Sequence, residues 1–360
     1  MPSVNEDLQD RAVQHAIAIS RYGAGLSDRI VKLLNSADDE IVAKIAQRIA
    51  LTDERGYDLG PKSTKRLLAL LDEIRVLNSA IYDELHDSLA DELNSFATAE
   101  AGFQKAALDT TLVVDIGTRL PGPARLKAIV EETPMEGRLL KSWTTGMEQG
   151  RIDRISSAIR LGMVQGEGTD AIVRRIKGTK AARFTDGVLD ISRRSAQSIV
   201  RTSVNHVSNV AAQETWKANS NVVKAWQFLA TLDSRTTVGC ASLDGKTFPI
   251  GEGPIPPRHI RCRSISVAVT KSFRELGLDI DELPKSARAS MDGQVADAPR
   301  FAEWLKRKGT DMQDKMLGPT RAELFRSGKL DLDQFVRADG TLLTLDQLRS
   351  IYSSLLSGNL

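Results

Sequence analysis

Cys240, His259 and Cys262 fall within one 23-residue window, and they are both of the cysteines and one of the four histidines in a chain of 360 residues. Thiolate sulfur and imidazole nitrogen are ligands that zinc favours, and His259-x-x-Cys262 can place two of them on one tight turn. Cys240 supplies a third, and Asp233 offers a carboxylate for the fourth corner of a tetrahedron. Structural zinc sites usually pair two ligand turns, whereas this window has one turn and a lone cysteine. A catalytic metal would need an open position and a general acid or base, and neither an HExxH nor a zinc-deaminase pattern is present. Cys240 or Cys262 with His259 could form a nucleophilic pair, but no orienting third group or oxyanion hole is visible. Phosphate-binding GxxxxGK[ST] and helix-opening GxGxxG are absent. Two readings stand for these residues, packed side chains without a metal and a structural zinc site, and no enzyme is expected. A metal- or thiol-dependent enzyme centred on the same three residues is the alternative.

The elements that would carry this window are legible. Val222–Ala230 is β-branched and aromatic, Leu243-Asp-Gly-Lys246 reads as a turn, and Ser264–Val269 alternates with period two. They predict a small antiparallel sheet packed on the preceding helices and closed by the cysteine–histidine loop. Asp233 and Arg235, at the end of the first strand, read as a bidentate pair that fixes a loop.

The rest of the chain reads as helical framework. Lys62 to Ala101 contains no Gly or Pro, and Leu67, Leu70, Ile74, Leu77, Ile81, Leu85, Leu89, Leu93 and Phe96 step by three or four. One helix over that stretch would reach ~60 Å. Leu8–Ala50 reads as one or two amphipathic helices with a break at Gly23 and Gly25. Leu120-Pro-Gly-Pro123, Thr133-Pro134 and Gly146 mark a connector. Helices resume over Ile152–Leu161, from Thr169 or Asp170 to Lys177, and from about Leu189 to Trp216. Downstream, Phe301, Trp304, Leu305, Met312 and Met316 can share one helical face that Gly318-Pro319 ends, with Pro319 opening the next helix. Asp339-Gly340 reads as a tight turn, and Thr344 with Gln347 as a capping box for a final helix through Leu356. The predicted fold class is α+β, predominantly helical with a small antiparallel sheet. Four consecutive regions are expected: an acidic helical bundle or hairpin over 1–118, a connector over 119–150, the sheet-containing domain over 151–272, and a helical docking module over 273–360.

Composition narrows the function classes. A hydrophobic content of 41% is enough to build cores. No apolar stretch approaches the ~18–20 residues that span a bilayer, and Met1-Pro-Ser-Val-Asn-Glu-Asp lacks a signal-peptide pattern, so no membrane partner is expected. Two cysteines cannot form a disulfide framework, and in a reducing cytoplasm a Cys240–Cys262 bridge is the less favoured state. The net charge of +2 hides an asymmetry: the first 100 residues carry 11 basic against 18 acidic side chains. Basic residues concentrate at Arg174, Arg175, Lys177, Lys180, Arg183, Arg193, Arg194 and Arg201, against Asp186 and Asp190 alone in that stretch. A second run is Arg258, Arg261, Arg263, Lys271 and Arg274. Such a chain suits a bridge between a basic and an acidic partner, and the first cluster is the expected contact for nucleic acid. A solvated face laced with local salt bridges is the alternative.

Arg201-Thr202 with Asn205 on a helix, Trp226 ahead of Leu232-Asp233-Ser-Arg235-Thr236, Cys240-x-x-Leu-Asp244-Gly245-Lys246, and Pro256-Pro257-x-His259-x-x-Cys262-Arg263 together resemble the signature of phage minor head proteins, the Mu F-like head-morphogenesis family of tailed bacteriophages. The resemblance covers roughly residues 150–270. A second block, around Phe301-x-x-Trp304-Leu and Met316-Leu-Gly318-Pro-Thr-Arg321, resembles the C-terminal part of the same proteins. Many relatives carry another cysteine just after the Asp-x-Arg-Thr, where this chain has Thr237, Val238 and Gly239. That leaves Asp233 or water as the fourth ligand of a zinc. The resemblance implies structural positions at Arg201, Asn205, Asp233, Arg235, Asp244, Gly245 and Arg263. It implies a minor capsid protein of the virion head, assembled in the host cytoplasm and associated with the portal, acting in head assembly and in DNA packaging or delivery. The partners implied are the portal protein, other capsid proteins, packaged double-stranded DNA and further copies of the chain. A non-specific DNA-binding protein of the head is the second alternative.

Overall fold

The computed structural model describes residues 4–53, 61–112, 117–272, 274–277, 288–290, 293–295, 300–337 and 340–353. The fold is predominantly helical α+β. Two compact units are present, and neither is continuous in sequence. One comprises Ser20–Ala97 and Leu126–Val207; the other comprises Met1–Ile19, Thr98–Arg125 and Ser208–Leu360. The unit boundaries fall inside helices. No helix among the described residues is long and apolar enough to cross a membrane.

The first unit is helical. α1 (Val4–Asp53) contributes its part from Ser20 onward and α2 (Pro61–Thr111) its part up to Ala97, followed by α3 (Pro123–Glu131) from Leu126, α4 (Leu140–Val164), α5 (Thr169–Lys177) and the first two-thirds of α6 (Val188–Ala218). The apolar stripe of α2 is buried at Leu70, Ile74, Leu85, Leu89 and Leu93. Ile41, Ile45, Ile74, Ile155, Ile159, Ile172 and Ile176 form one core.

The expected breaks at Gly23, Gly25 and Gly146 do not occur, because α1 and α4 run through them. A glycine inside a helix costs about 1 kcal/mol against alanine, and packing overrides it. A Cβ on Gly23 would lie 3.7 Å from Val204 of α6, an ordinary contact distance, so α1 packs on α6 at this point of the helix. α4 also runs past the expected end at Leu161 to Val164, and a Cβ on Gly162 would lie 2.5 Å from Ile172 of α5.

The second unit holds the sheet. β1 (Val223–Leu229), β2 (Thr247–Phe248) and β3 (Ile265–Thr270) are antiparallel in the order β2-β1-β3, with Trp226 opposite Phe248 and Ala268. A separate hairpin pairs β4 (Arg288–Ser290) with β5 (Gly293–Val295), a feature the sequence did not suggest. Trp216, Trp226, Phe228 and Val267 share a core with Phe301, Trp304, Phe325 and Phe335. Asn5 accepts hydrogen bonds from the Thr270 N–H and hydroxyl and ties the start of α1 to the end of β3.

The C-terminal segment is made of short helices. The single face expected through Met316 is split between α8 (Phe301–Lys306) and α9 (Thr310–Leu317). α10 (Pro319–Arg326) starts on Pro319 as expected, and α11 (Leu345–Ile351) carries the Thr344–Gln347 capping box. Asp339 of the expected turn, and the stretch to Leu356 beyond residue 353, lie outside the described residues.

Candidate metal centre

A short helix, α7 (Val238–Leu243), brings Cys240 to the site. It starts where Thr237 accepts the Cys240 N–H at 3.3 Å, a serine/threonine N-cap. The opposite wall is the turn His259–Cys262, closed by the Cys262 N–H to the His259 carbonyl at 3.0 Å and leading into β3. Arg261 adopts φ 64° within it. The loop before this turn is held from below: Trp226 donates to the Glu252 carbonyl and Gly251 to the Gln213 side chain, both at 3.0 Å.

Cys240 Sγ and Cys262 Sγ stand 3.8 Å apart, and a nitrogen of His259 joins them so that the three ligand atoms lie within 4.8 Å of one another. Both cysteines are buried and free. His259 Nδ1 lies 3.0 Å from the Ile260 carbonyl, and with the proton on Nδ1 that contact is a hydrogen bond. The Cys262 sulfur accepts from Cys240, from His259 and from the backbone N–H groups of Arg258 and Ser264, and these donors push its thiol well below the ordinary range against the opposing effect of burial. Donating to Cys262, together with burial, pushes the Cys240 thiol up, although the hydroxyls of Thr237 and Ser264 act the other way. Sulfur is therefore surrounded by hydrogen-bond donors, the environment a metal thiolate requires.

The spacing fits a tetrahedral ion. With zinc–sulfur bonds of ~2.3 Å, two thiolates on a tetrahedron stand about 3.8 Å apart, the separation observed. Cys240, His259 and Cys262 are the residues that could hold it.

Asp233, expected as a fourth ligand, is not in this group. Its carboxylate faces Arg263, which donates from both terminal nitrogens, Nη1 to Oδ2 and Nη2 to Oδ1 at 2.7 Å. Burial alone would raise the Asp233 pKa, but the Arg263 hydrogen bonds, the Arg235 N–H and both guanidinium charges hold it at about 2. The bidentate partner is thus Arg263 rather than Arg235. The Arg235 backbone N–H binds Asp233 Oδ1 at 2.9 Å, while its side chain is 77% exposed and 3.4 Å from the carboxylate.

Asp244 and Gly245 form a second fixed point. The buried Asp244 carboxylate accepts the Ala230 N–H at 2.8 Å and the Phe301 N–H at 2.7 Å, clamping the end of β1 and the start of α8. Gly245 turns the chain at φ 76° and donates to the Phe228 carbonyl at 2.8 Å. Arg201 is exposed and Asn205 buried on the stretch of α6 that belongs to the helical unit. Sequence reasoning missed Asn209, whose side chain accepts the Ser266 N–H at 2.7 Å at the start of β3. It lies one helical turn after Asn205, and that spacing was the available signal. Ser264, which touches both sulfurs, carried no signal beyond adjacency to Cys262-Arg263.

The basic cluster expected for nucleic acid is largely engaged by acids. Arg175 pairs with Glu167, Lys177 with Asp39 at 2.7 Å, Arg194 with Asp190 at 2.7 Å, and Arg193 with Asp38 at 2.5 Å and Asn35 at 2.6 Å. Arg174 is exposed and donates to the Asp170 carbonyl. Lys180 and Arg183 are exposed and have no ion-pair partner among the described residues.

Comparison with curated proteins and with solved structures gives no match. Residues 153–267 match the family model described as phage Mu protein F like protein, a span that runs from α4 through β3 and takes in Asp233, Cys240, Asp244, His259, Cys262 and Arg263. By that match, the segment that builds the knot belongs to the phage Mu protein F-like family of head-morphogenesis proteins.

Proposed function

We propose that the chain is a structural minor capsid protein, associated with the portal of the phage head and acting in head assembly and in DNA packaging or delivery. One observation carries the structural rather than catalytic reading: the polar residues that mark the matched segment are used on one another. Asp233 is taken by Arg263, Asp244 by two backbone N–H groups, and the cysteines by each other and His259. An active site leaves such groups facing a substrate; here they close loops.

The metal is part of the same reading. Cys240, His259 and Cys262 would hold a structural zinc ion, which would crosslink α7 to the turn before β3. The partners are the portal protein, other capsid proteins and further copies of the chain. Packaged double-stranded DNA is met through Arg174, Lys180 and Arg183 by phosphate contacts that weaken with salt. Charge reversal at these three would leave DNA retention at low salt unchanged if the contact is not made.

The test of the function is quantitative mass spectrometry of purified DNA-filled heads and of heads emptied of DNA, counting this chain against portal and major capsid protein. A few copies per filled head are expected, and their loss on emptying would mark delivery with the DNA. Absence from every particle would overturn the reading.

A further inference from the structure

We propose that Cys240 and Cys262 are a redox-modification site, forming an intramolecular disulfide when the protein meets a two-electron thiol oxidant. Both thiols are free and their sulfurs are 3.8 Å apart. A disulfide needs about 2.0 Å between sulfurs, so closure asks for less than about 2 Å of travel, within reach of small rotations about the two Cα–Cβ bonds. The backbone already brings the pair together, since Cys240 is fixed by the Thr237 cap of α7 and Cys262 by the turn into β3. The bond would link positions 22 residues apart. Burial of both sulfurs restricts access to small oxidants, or to larger ones admitted by local opening.

With diamide as oxidant, one thiol adds across the N=N bond to give a sulfenylhydrazine. The second sulfur then attacks the first and displaces the hydrazine. The two thiol hydrogens and two electrons leave on nitrogen, and one S–S bond forms. Resting on the metal reading, a corollary follows: zinc and the disulfide exclude each other, because a sulfur in an S–S bond has no thiolate to offer. Resting on the proposed function, so does a setting. A head protein is made in a reducing cytoplasm and meets an oxidising medium once particles are released, where disulfides persist.

The experiment uses the full chain, purified under reductant and desalted, then treated with diamide under native conditions either with chelator or with added zinc. Remaining thiols are alkylated and the chain is mapped by peptide mass spectrometry. In chelator, both thiols should disappear together, in monomer, with one crosslinked pair of peptides joining Cys240 to Cys262. Cys240→Ser and Cys262→Ser should each give only adducts of the remaining thiol. With free zinc about a hundred times its dissociation constant, only about one chain in a hundred is metal-free, so oxidation should slow about a hundredfold. Thiols that stay alkylatable until the chain is unfolded, or that crosslink only between chains, would overturn the proposal. An oxidation rate indifferent to zinc would overturn the metal reading and leave the disulfide standing.

Discussion

Replacing Asp244 by alanine withdraws both acceptor oxygens from a buried carboxylate that holds the Ala230 and Phe301 N–H groups. The site is 6% exposed, so water cannot take over without opening the core. A buried donor left without an acceptor costs about 1–3 kcal/mol, and two of them give about 2–6 kcal/mol. Asp244→Asn keeps one oxygen and turns an amide N–H₂ toward the other donor, which sets its cost at about 1–3 kcal/mol. The expected order of stability is therefore wild type, Asn, Ala. Trp226 and Trp304 lie in the same core as the clamp, so urea unfolding followed by tryptophan fluorescence reports on it directly. Hydrogen exchange supplies the residue-level readout, with faster exchange expected at the amides of Ala230 and Phe301. An Ala variant within about 1 kcal/mol of wild type, or unchanged exchange at both amides, would refute the assignment of Asp244 as a clamp.

Four further substitutions probe other joints. A Cβ on Gly239 would stand 2.6 Å from the Gly340 carbonyl oxygen, so Gly239→Ala should destabilise by about 1–3 kcal/mol in thermal unfolding, and a neutral result would show that the 340 turn yields. Asp38 accepts from Arg151 at 2.5 Å and from Arg193, and Arg151 is 1% exposed. Asp38→Ala should cost about 3–5 kcal/mol, whereas Lys177→Ala, which breaks an exposed pair with Asp39, should stay within about 1 kcal/mol. Burial holds the His206 imidazole down at about 4, against the opposing hydrogen bond with the Thr133 backbone. The native state therefore refuses a proton that the unfolded chain accepts below about 6.5. Stability is complete above that pH and falls by up to about 3 kcal/mol as pH drops through 4; a pH series of urea midpoints should show this slope, and His206→Gln should flatten it.

The parts of the fold that were legible in the sequence rest on local chemistry. The cysteine–histidine turn, the Leu-Asp-Gly turn, the strands around Trp226 and Val267, the Pro319 helix start and the Thr344 cap each depend on residues within a few positions. The illegible parts are decided by distant partners. Arg235 stands two residues from Asp233 and Arg263 thirty, yet Arg263 makes the bidentate contact, because an i+2 neighbour reaches the carboxylate with its backbone N–H and aims its side chain away. The basic stretch around Lys177 and Arg193 looks unneutralised in sequence, since Asp39 and Asp38 lie 138 and 155 residues upstream. Gly23 reads as a break until Val204 is known to pack on it.

The sheet is small for a structural core. Three strands, one of them two residues long, sit at the lower limit of independent stability. Beyond the apolar core around Trp216, Trp226 and Phe301, polar contacts fix it: Asn209 at the start of β3, the Asp244 clamp, the Asp233–Arg263 pair and the knot. All four act within the unit that contains the sheet, while the isoleucine core of Ile41, Ile74, Ile155 and Ile172 belongs to the other. Removing the proposed zinc should therefore act on one unit only. On chelation, hydrogen exchange should speed up over α7, the His259–Cys262 turn and β3, with protection retained through α4 and α5. Cys240→Ser and Cys262→Ser should reproduce that pattern without chelator and lose bound zinc measured by elemental mass spectrometry. Uniform loss of protection across both units would mean that the ion stabilises the whole chain, and no change anywhere would mean that hydrogen bonds among Cys240, Cys262 and His259 suffice to close the knot.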